Sequence, residues 1–189
     1  MNTENRDSVG SHRDRLKIAN GIARVFACLH NAFPRPIINR NLRPDRVIID
    51  QNGVAKMFDF SDAMLLPPGK LEIEDSLQGA FSYIDPEYVK SGIVTPKIDV
   101  YCFGALILVL VTGKHVEYQC LALENCCYLD TKNLTVDPRI LKENGGMEEK
   151  KQFQDVLALA LKCTQAKGED RPDMIYVAKE LCRIEKHVL

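Results

Sequence analysis

INRNLRPDRVIIDQNGVAKMFDFS, residues 38 to 61, is the stretch whose reading decides the fold. Val47-Ile48-Ile49 and Val54-Ala55-Lys56-Met57 are short runs of strand-forming residues, with Asp50-Gln51-Asn52-Gly53 between them. Asn-Gly between apolar runs is a strong hairpin signal, because both residues tolerate a positive φ. A hairpin brings its two ends together. The polar stretch 39–46 ahead of it and Asp59-Phe60-Ser61 after it are therefore expected to meet on one rim.

Outward from the hairpin the pattern turns helical. In residues 13–30, Ile18, Ile22, Phe26 and Leu29 recur at three to four, with Ala19, Ala23 and Ala27 beside them, which makes one apolar face. Pro34 and Pro36 stop that helix. Residues 62–82 break regular structure at Pro67-Pro68-Gly69 and carry Glu72, Glu74 and Asp75. KIDVYCFGALILVLVTG, residues 97–113, reads as a helix buried on most sides and ended by Gly113, being shorter than the roughly 18 apolar residues of a membrane span. Residues 118–146 are the least readable; 121–129 are expected to form a short helix. Phe153, Val156, Leu157 and Leu161 mark a further helix, and Met174, Val177, Leu181 and Ile184 mark the last.

Composition narrows the class. A chain of 189 residues, 46% hydrophobic and 27% charged, suits one soluble globular domain. A net charge of −1 gives no reason to expect nucleic acid or an anionic membrane as partner. Of the seven cysteines, Cys102, Cys163 and Cys182 lie in apolar helical patterns and Cys126-Cys127 are adjacent, which reads as small buried hydrophobes in a reducing compartment. The polar start MNTENRDSVG lacks a signal-peptide core, and Asn2 rules out a myristoylation signal. A cytoplasmic location is expected.

Taken in chain order, these pieces resemble a protein kinase. Residues 39–61 are similar to the family's catalytic loop, hairpin and metal-binding loop, whose signatures are H-R-D-L-x-x-x-N and D-F-G. GAFSYIDPEY, residues 79–88, resembles the segment ending in A-P-E, with Asp85 in place of Ala. KIDVYCFG resembles the central helix motif D-V-Y-S-F-G, and LTVDP, residues 134–138, the V-D-P linker. A solitary D-F-S would carry nothing; the ordered set does. It implies a mainly α fold, the C-terminal lobe of a kinase with a small β-hairpin, over residues 13–189, with 1–12 as a flexible N-terminal segment. Twelve residues are too few for the Gly-rich loop, strand Lys and helix Glu, so the N-terminal lobe is expected to be absent and apolar surface to be exposed near the hairpin.

The resemblance also implies a role for each matching position. Asn41 stands at the catalytic base, where an amide has no anion to take a hydroxyl proton. Arg46 stands at the second metal ligand, where a guanidinium offers five donors and no acceptor. Arg43 replaces the family's Lys and keeps a positive charge near the phosphates. Asp59 retains one metal-binding carboxylate, Ser61 replaces the permissive Gly, and Asn39 replaces a His of the internal spine. Arg40 is expected to pair with an acidic or phosphorylated group of the activation segment, where Ser76 and Ser82 supply hydroxyls. Asp99 is expected to accept backbone N–H bonds from the catalytic loop, and Arg171 to pair with Glu87.

Losing the base and a metal ligand together implies a pseudokinase that needs no cofactor and binds ATP and Mg²⁺ weakly or not at all. GIARVFACLHNAFPRPIINRNLRPDRVIID and KMFDFSDAMLLPPGK look most like plant receptor-like cytoplasmic kinases related to wall-associated kinases. Many of these are inactive adaptors for a coiled-coil nucleotide-binding leucine-rich-repeat (NLR) immune receptor. The resemblance thus implies an adaptor acting through protein partners, an NLR and receptor-like cytoplasmic kinases among them, in the cytoplasm or held at the plasma membrane by those partners. A serine/threonine kinase performing ATP-dependent phosphoryl transfer and a truncated fragment without function are the alternatives. Phosphate incorporation separates the first alternative from the adaptor.

Overall fold

A computed structural model describes residues 12–80, 83–113, 118–121, 126–129, 137 and 147–186. The expected flexible segment 1–12 lies, except for His12, outside the described residues.

Helix α1 (His12–Asn31) buries Leu16, Ile18, Ala19, Ile22, Ala23 and Phe26. Its C-terminal His30 is also buried, with its ring edge-on to Phe26 at 5.9 Å. Helix α3 (Lys97–Thr112) is buried on nearly every side and ends at Gly113, whose φ of +66° lets its N–H reach the Val109 carbonyl at 2.9 Å. Against it packs α4 (Met147–Cys163), while α5 (Met174–Lys186) packs on α1 and touches α4. The buried side of α5 is Met174, Val177, Leu181 and Ile184, as the spacing predicts. That of α4 is rotated from the expected face: Phe153, Val156, Leu159, Ala160 and Cys163 are buried while Leu157 and Leu161 are half-buried. Gly104 explains the rotation, since the absent side chain lets α4 approach within contact of α3 through Ala160, Cys163 and Thr164.

The β content exceeds the one small hairpin expected, and the fold class is corrected accordingly. Among the described residues, eight strands form four two-stranded antiparallel sheets: β1 (Ile37–Ile38) with β4 (Met64–Leu65), β2 (Val47–Ile49) with β3 (Ala55–Met57), β5 (Ile73–Glu74) with β6 (Ile93–Val94), and β7 (Tyr118–Leu121) with β8 (Cys126–Leu129). Two of these, β1–β4 and β5–β6, join segments that look like loops from sequence, because a two-residue ladder leaves almost no periodicity. The β7–β8 sheet replaces the helix expected at 121–129. The two segments pair there in register from Tyr118–Leu129 to Leu121–Cys126.

The β2–β3 hairpin follows its sequence signal with one change of mechanism. Only Gly53 takes a positive φ, +76°, while Asn52 does not. The turn is tied instead by Asp50, whose Oδ1 accepts from the Asn52 N–H at 2.9 Å and the Val54 N–H at 3.0 Å. Val47, Ala55 and Met57 pack inward on the core. Ile48, Val54 and Phe58 are exposed. A short helix, α2 (Pro86–Ser91), and two 3-10 turns, Pro44–Arg46 and Gly168–Asp170, complete the described elements.

Candidate functional site

Asp99, fully buried at the start of α3, organises the first of the two loops. Its Oδ2 accepts from the Asn39 N–H at 2.8 Å and lies 2.8 Å from His30 Nε2, while Oδ1 accepts from the Arg40 N–H at 2.8 Å. Three elements therefore meet on one carboxylate. Arg40 is held at φ +65°, a conformation L residues rarely adopt, and the buried hydrogen bonds offset that strain. Asn39 is buried too, and its Oδ1 accepts from the Asn41 N–H at 3.2 Å.

The hairpin brings the second loop alongside. Arg40 Nε donates to the Asp62 carbonyl at 2.6 Å, and Asn41 Nδ2 donates to Asp62 Oδ2 at 2.6 Å. Arg46 forms an ion pair with Asp59 Oδ2. The other oxygen, Oδ1, accepts from the Ser61 N–H at 3.0 Å and the Ser61 hydroxyl at 2.6 Å. Asp59 itself has φ +66°, the other non-glycine residue in that region among those described. Arg43 turns away from this cluster toward Asp45, 3.1 Å from its Oδ1.

Arg40 also reaches the activation segment, with NH1 2.6 Å from Asp75 Oδ2. That guanidinium, with a smaller share from the Ser76 backbone N–H, holds the Asp75 carboxyl below the ordinary carboxylate range. Ser76 is exposed beside it, and its carbonyl accepts from the buried Tyr88 hydroxyl at 2.8 Å. Ser82 lies outside the described residues.

Arg171 is buried, and Glu87, the partner expected for it, stands in a long ion pair beside a closer, unexpected one. It makes a two-pronged pair with Asp85, with NH2 2.8 Å from Oδ1 and NH1 on Oδ2, whereas Glu87 Oε2 lies 3.9 Å away. Glu87 is half-exposed and accepts instead from the Gly168 N–H at 2.6 Å. The shorter Asp85 side chain, fixed as the N-cap of α2 by the Glu87 N–H at 2.9 Å, presents both oxygens in the plane a guanidinium matches. Tyr101 covers the Arg171 group at 4.9 Å.

Three groups escaped the sequence reading. Asp62 and Asp85 were within reach of it: the first follows the D-F-S directly, and Asp before Pro is a helix-start signal. The third is the buried pair of Arg15 and Asp137, 3.0 Å apart, in which Arg15 also donates to the last-turn carbonyl of Leu110 at 2.8 Å. Nothing local in the sequence links residues so distant.

A divalent cation of the kind kinases use needs free carboxylate lone pairs and neutral oxygen ligands. Here both oxygens of Asp59 are engaged, and the position of the second ligand carries a guanidinium. Among the described residues no three His, Cys, Asp or Glu side chains group to hold a metal.

Comparison with known proteins places this geometry. The protein kinase domain model matches residues 1–183. The chain is 40% identical over 182 residues to the serine/threonine-protein kinase ZRK1 of Arabidopsis thaliana, covering 90% of this chain and 51% of that protein. Identity is 37% over 186 residues to the non-functional pseudokinase ZED1 of the same plant, 91% and 56% of the two chains, and 34% over 187 residues to its wall-associated receptor kinase 1, 95% and 25%. The chain spans about half the length of the first two, ZRK1 and ZED1. The domain match starts at residue 1, so the expectation of an isolated C-terminal lobe beginning at Arg13 with the N-terminal lobe absent is corrected to a kinase domain spanning nearly the whole chain. Kinase-like and related to plant receptor-like kinases and pseudokinases, the chain belongs to the protein kinase domain family.

Proposed function

We propose that the chain is a catalytically inactive kinase-like adaptor in plant immune signalling, acting through protein partners. The observation that carries this reading is the Arg46–Asp59 ion pair beside the Asn41–Asp62 hydrogen bond. At the base position an amide donates where an acceptor is required, and at the metal position a cation sits on the retained carboxylate. Phosphoryl transfer depends on positioning and charge neutralisation, and both are disfavoured by these residues. Meanwhile the supporting network through Asp99, Arg40 and Arg171 is kept, which suits a surface that must hold its shape. The similarity to the non-functional pseudokinase ZED1 supports the same reading. No described helix is long and apolar enough to cross a membrane, which is consistent with cytoplasmic action through partners such as an NLR immune receptor or a receptor-like cytoplasmic kinase.

The test pairs two measurements. Purified protein incubated with radiolabelled ATP, Mg²⁺ and a general protein substrate is expected to give no incorporation above the Asp59→Ala variant. Co-precipitation with a coiled-coil NLR receptor from plant tissue is expected to be positive. Incorporation that disappears in Asp59→Ala would establish the alternative, a serine/threonine kinase, which the similarity to ZRK1 keeps in view.

A further inference from the structure

We infer that Arg46, Ser61 and Asn41 form a resident clasp that does structurally what a bound cation would otherwise do, so that the two loops are held together without nucleotide or metal. The inference rests on the reading of these loops as non-catalytic and adds how they stay ordered. Asp59 occupies a left-handed backbone conformation, so its carboxylate is aimed by a strained residue that something must hold. Protein groups engage both of its oxygens. Arg46 neutralises Oδ2, and the Ser61 N–H and hydroxyl both donate to Oδ1. Asn41 fastens the next carboxylate, Asp62, to the facing loop, while Arg40 ties the Asp62 carbonyl.

Each of the three substitutions thereby gains a positive role. An Asp at position 41 would face the Asp62 carboxylate across a hydrogen-bond distance, and like charges so close cannot both ionise freely. A Gly at 61 would remove one of the two donors from Oδ1. A neutral Asn at 46 would leave Asp59 without its counter-ion and open to a divalent cation. The surface formed by the two loops is therefore constitutive, and a partner that reads it needs no ligand-dependent switch.

Cation titration of the purified full chain tests this, with thermal unfolding and amide NMR as readouts. Wild-type Tm is expected to be unchanged by millimolar Mn²⁺ or Mg²⁺, and Mn²⁺ to leave the Asp59 and Ser61 amide signals unbroadened. Arg46→Asn is expected to lower Tm by about 2–4 °C, and Mn²⁺ to restore it. Arg46→Lys, which keeps the charge, is expected to remain insensitive to the cation. A cation-dependent rise in wild-type Tm, broadening at Asp59 in the wild type, an Arg46→Asn Tm equal to wild type, or a lowered Tm that Mn²⁺ does not restore would each overturn the clasp. The wild-type arms stand if the variant fails to fold. These outcomes are separate from phosphate incorporation and partner capture, on which the adaptor reading depends.

Discussion

Asp85 and Glu87 are two positions apart, yet they stand in different relations to Arg171. Asp85 is buried and makes the two-pronged pair; Glu87 is half-exposed and 3.9 Å away. Removing Asp85 strands a buried guanidinium and strips the α2 N-cap, so Asp85→Ala is expected to destabilise the fold by about 3–5 kcal/mol. Glu87→Ala removes a weak charge contact and one backbone hydrogen bond, and is expected to cost about 1 kcal/mol. Urea unfolding of both single variants, and of each combined with Arg171→Ala, measures the difference. Strong coupling of Arg171 to Asp85 and weak coupling to Glu87 is the expected outcome, and equal coupling would mean that the pair is shared.

At the scale of elements, the packing of α3 on α4 turns on one missing side chain. A Cβ at position 104 would lie 2.7 Å from Cys163 Cβ, 2.7 Å from Thr164 Cγ2 and 3.0 Å from the Ala160 carbonyl oxygen. Alanine is the better helix former by about 1 kcal/mol, which for an exposed glycine would stabilise. Here the clash opposes it, and separating two well-packed helices typically costs about 1–3 kcal/mol. Gly104→Ala is therefore expected to lower stability in spite of its propensity. A raised unfolding midpoint would mean that α4 shifts to make room without penalty. Gly79 imposes a similar constraint on the activation segment, since its φ is +113° and a Cβ there would meet the Arg40 carbonyl oxygen at 2.7 Å.

For the molecule as a whole, alkaline pH probes how tightly the core excludes charge. Burial pushes the Cys163 thiol up to about 12 and the Cys102 thiol well above its ordinary range. Tyr83 is pushed up to about 12 by burial first and by the charge of Asp45 second. In the unfolded chain, thiols release their protons near pH 8.5 and tyrosine near pH 10, by the usual reference values of about that size. Above roughly pH 8.5 the unfolded state therefore binds fewer protons than the folded one, and stability falls as pH rises. The contribution of these groups is complete below that pH and is lost progressively toward pH 12. Thermal unfolding is expected to show Tm level up to about pH 8 and declining to pH 10.5, less steeply in Tyr83→Phe and in Cys163→Ala. A Tm unchanged across that range would mean that these groups titrate normally in the fold.

What the sequence by itself determined about this protein is what depends on near neighbours along the chain. The 3.6-residue spacing located α1, α4 and α5, a continuous apolar run ended by Gly113 located α3, Asp50 to Gly53 located the hairpin, and the order of the polar loops around it brought Asn41, Arg46 and Asp59 together. Those features follow from local backbone preferences and periodic burial, which a linear string records. Tertiary structure alone decided which carboxylate Arg171 grips, that Asp62 closes on Asn41, that Arg15 meets Asp137, and that residues 118–121 and 126–129 pair as strands. Each of these is a contact of exact distance and orientation between segments with no common period. Asp85 makes the two-pronged pair because its place as the N-cap of α2 sets where its oxygens point, while Glu87, two residues into the helix, stands farther off.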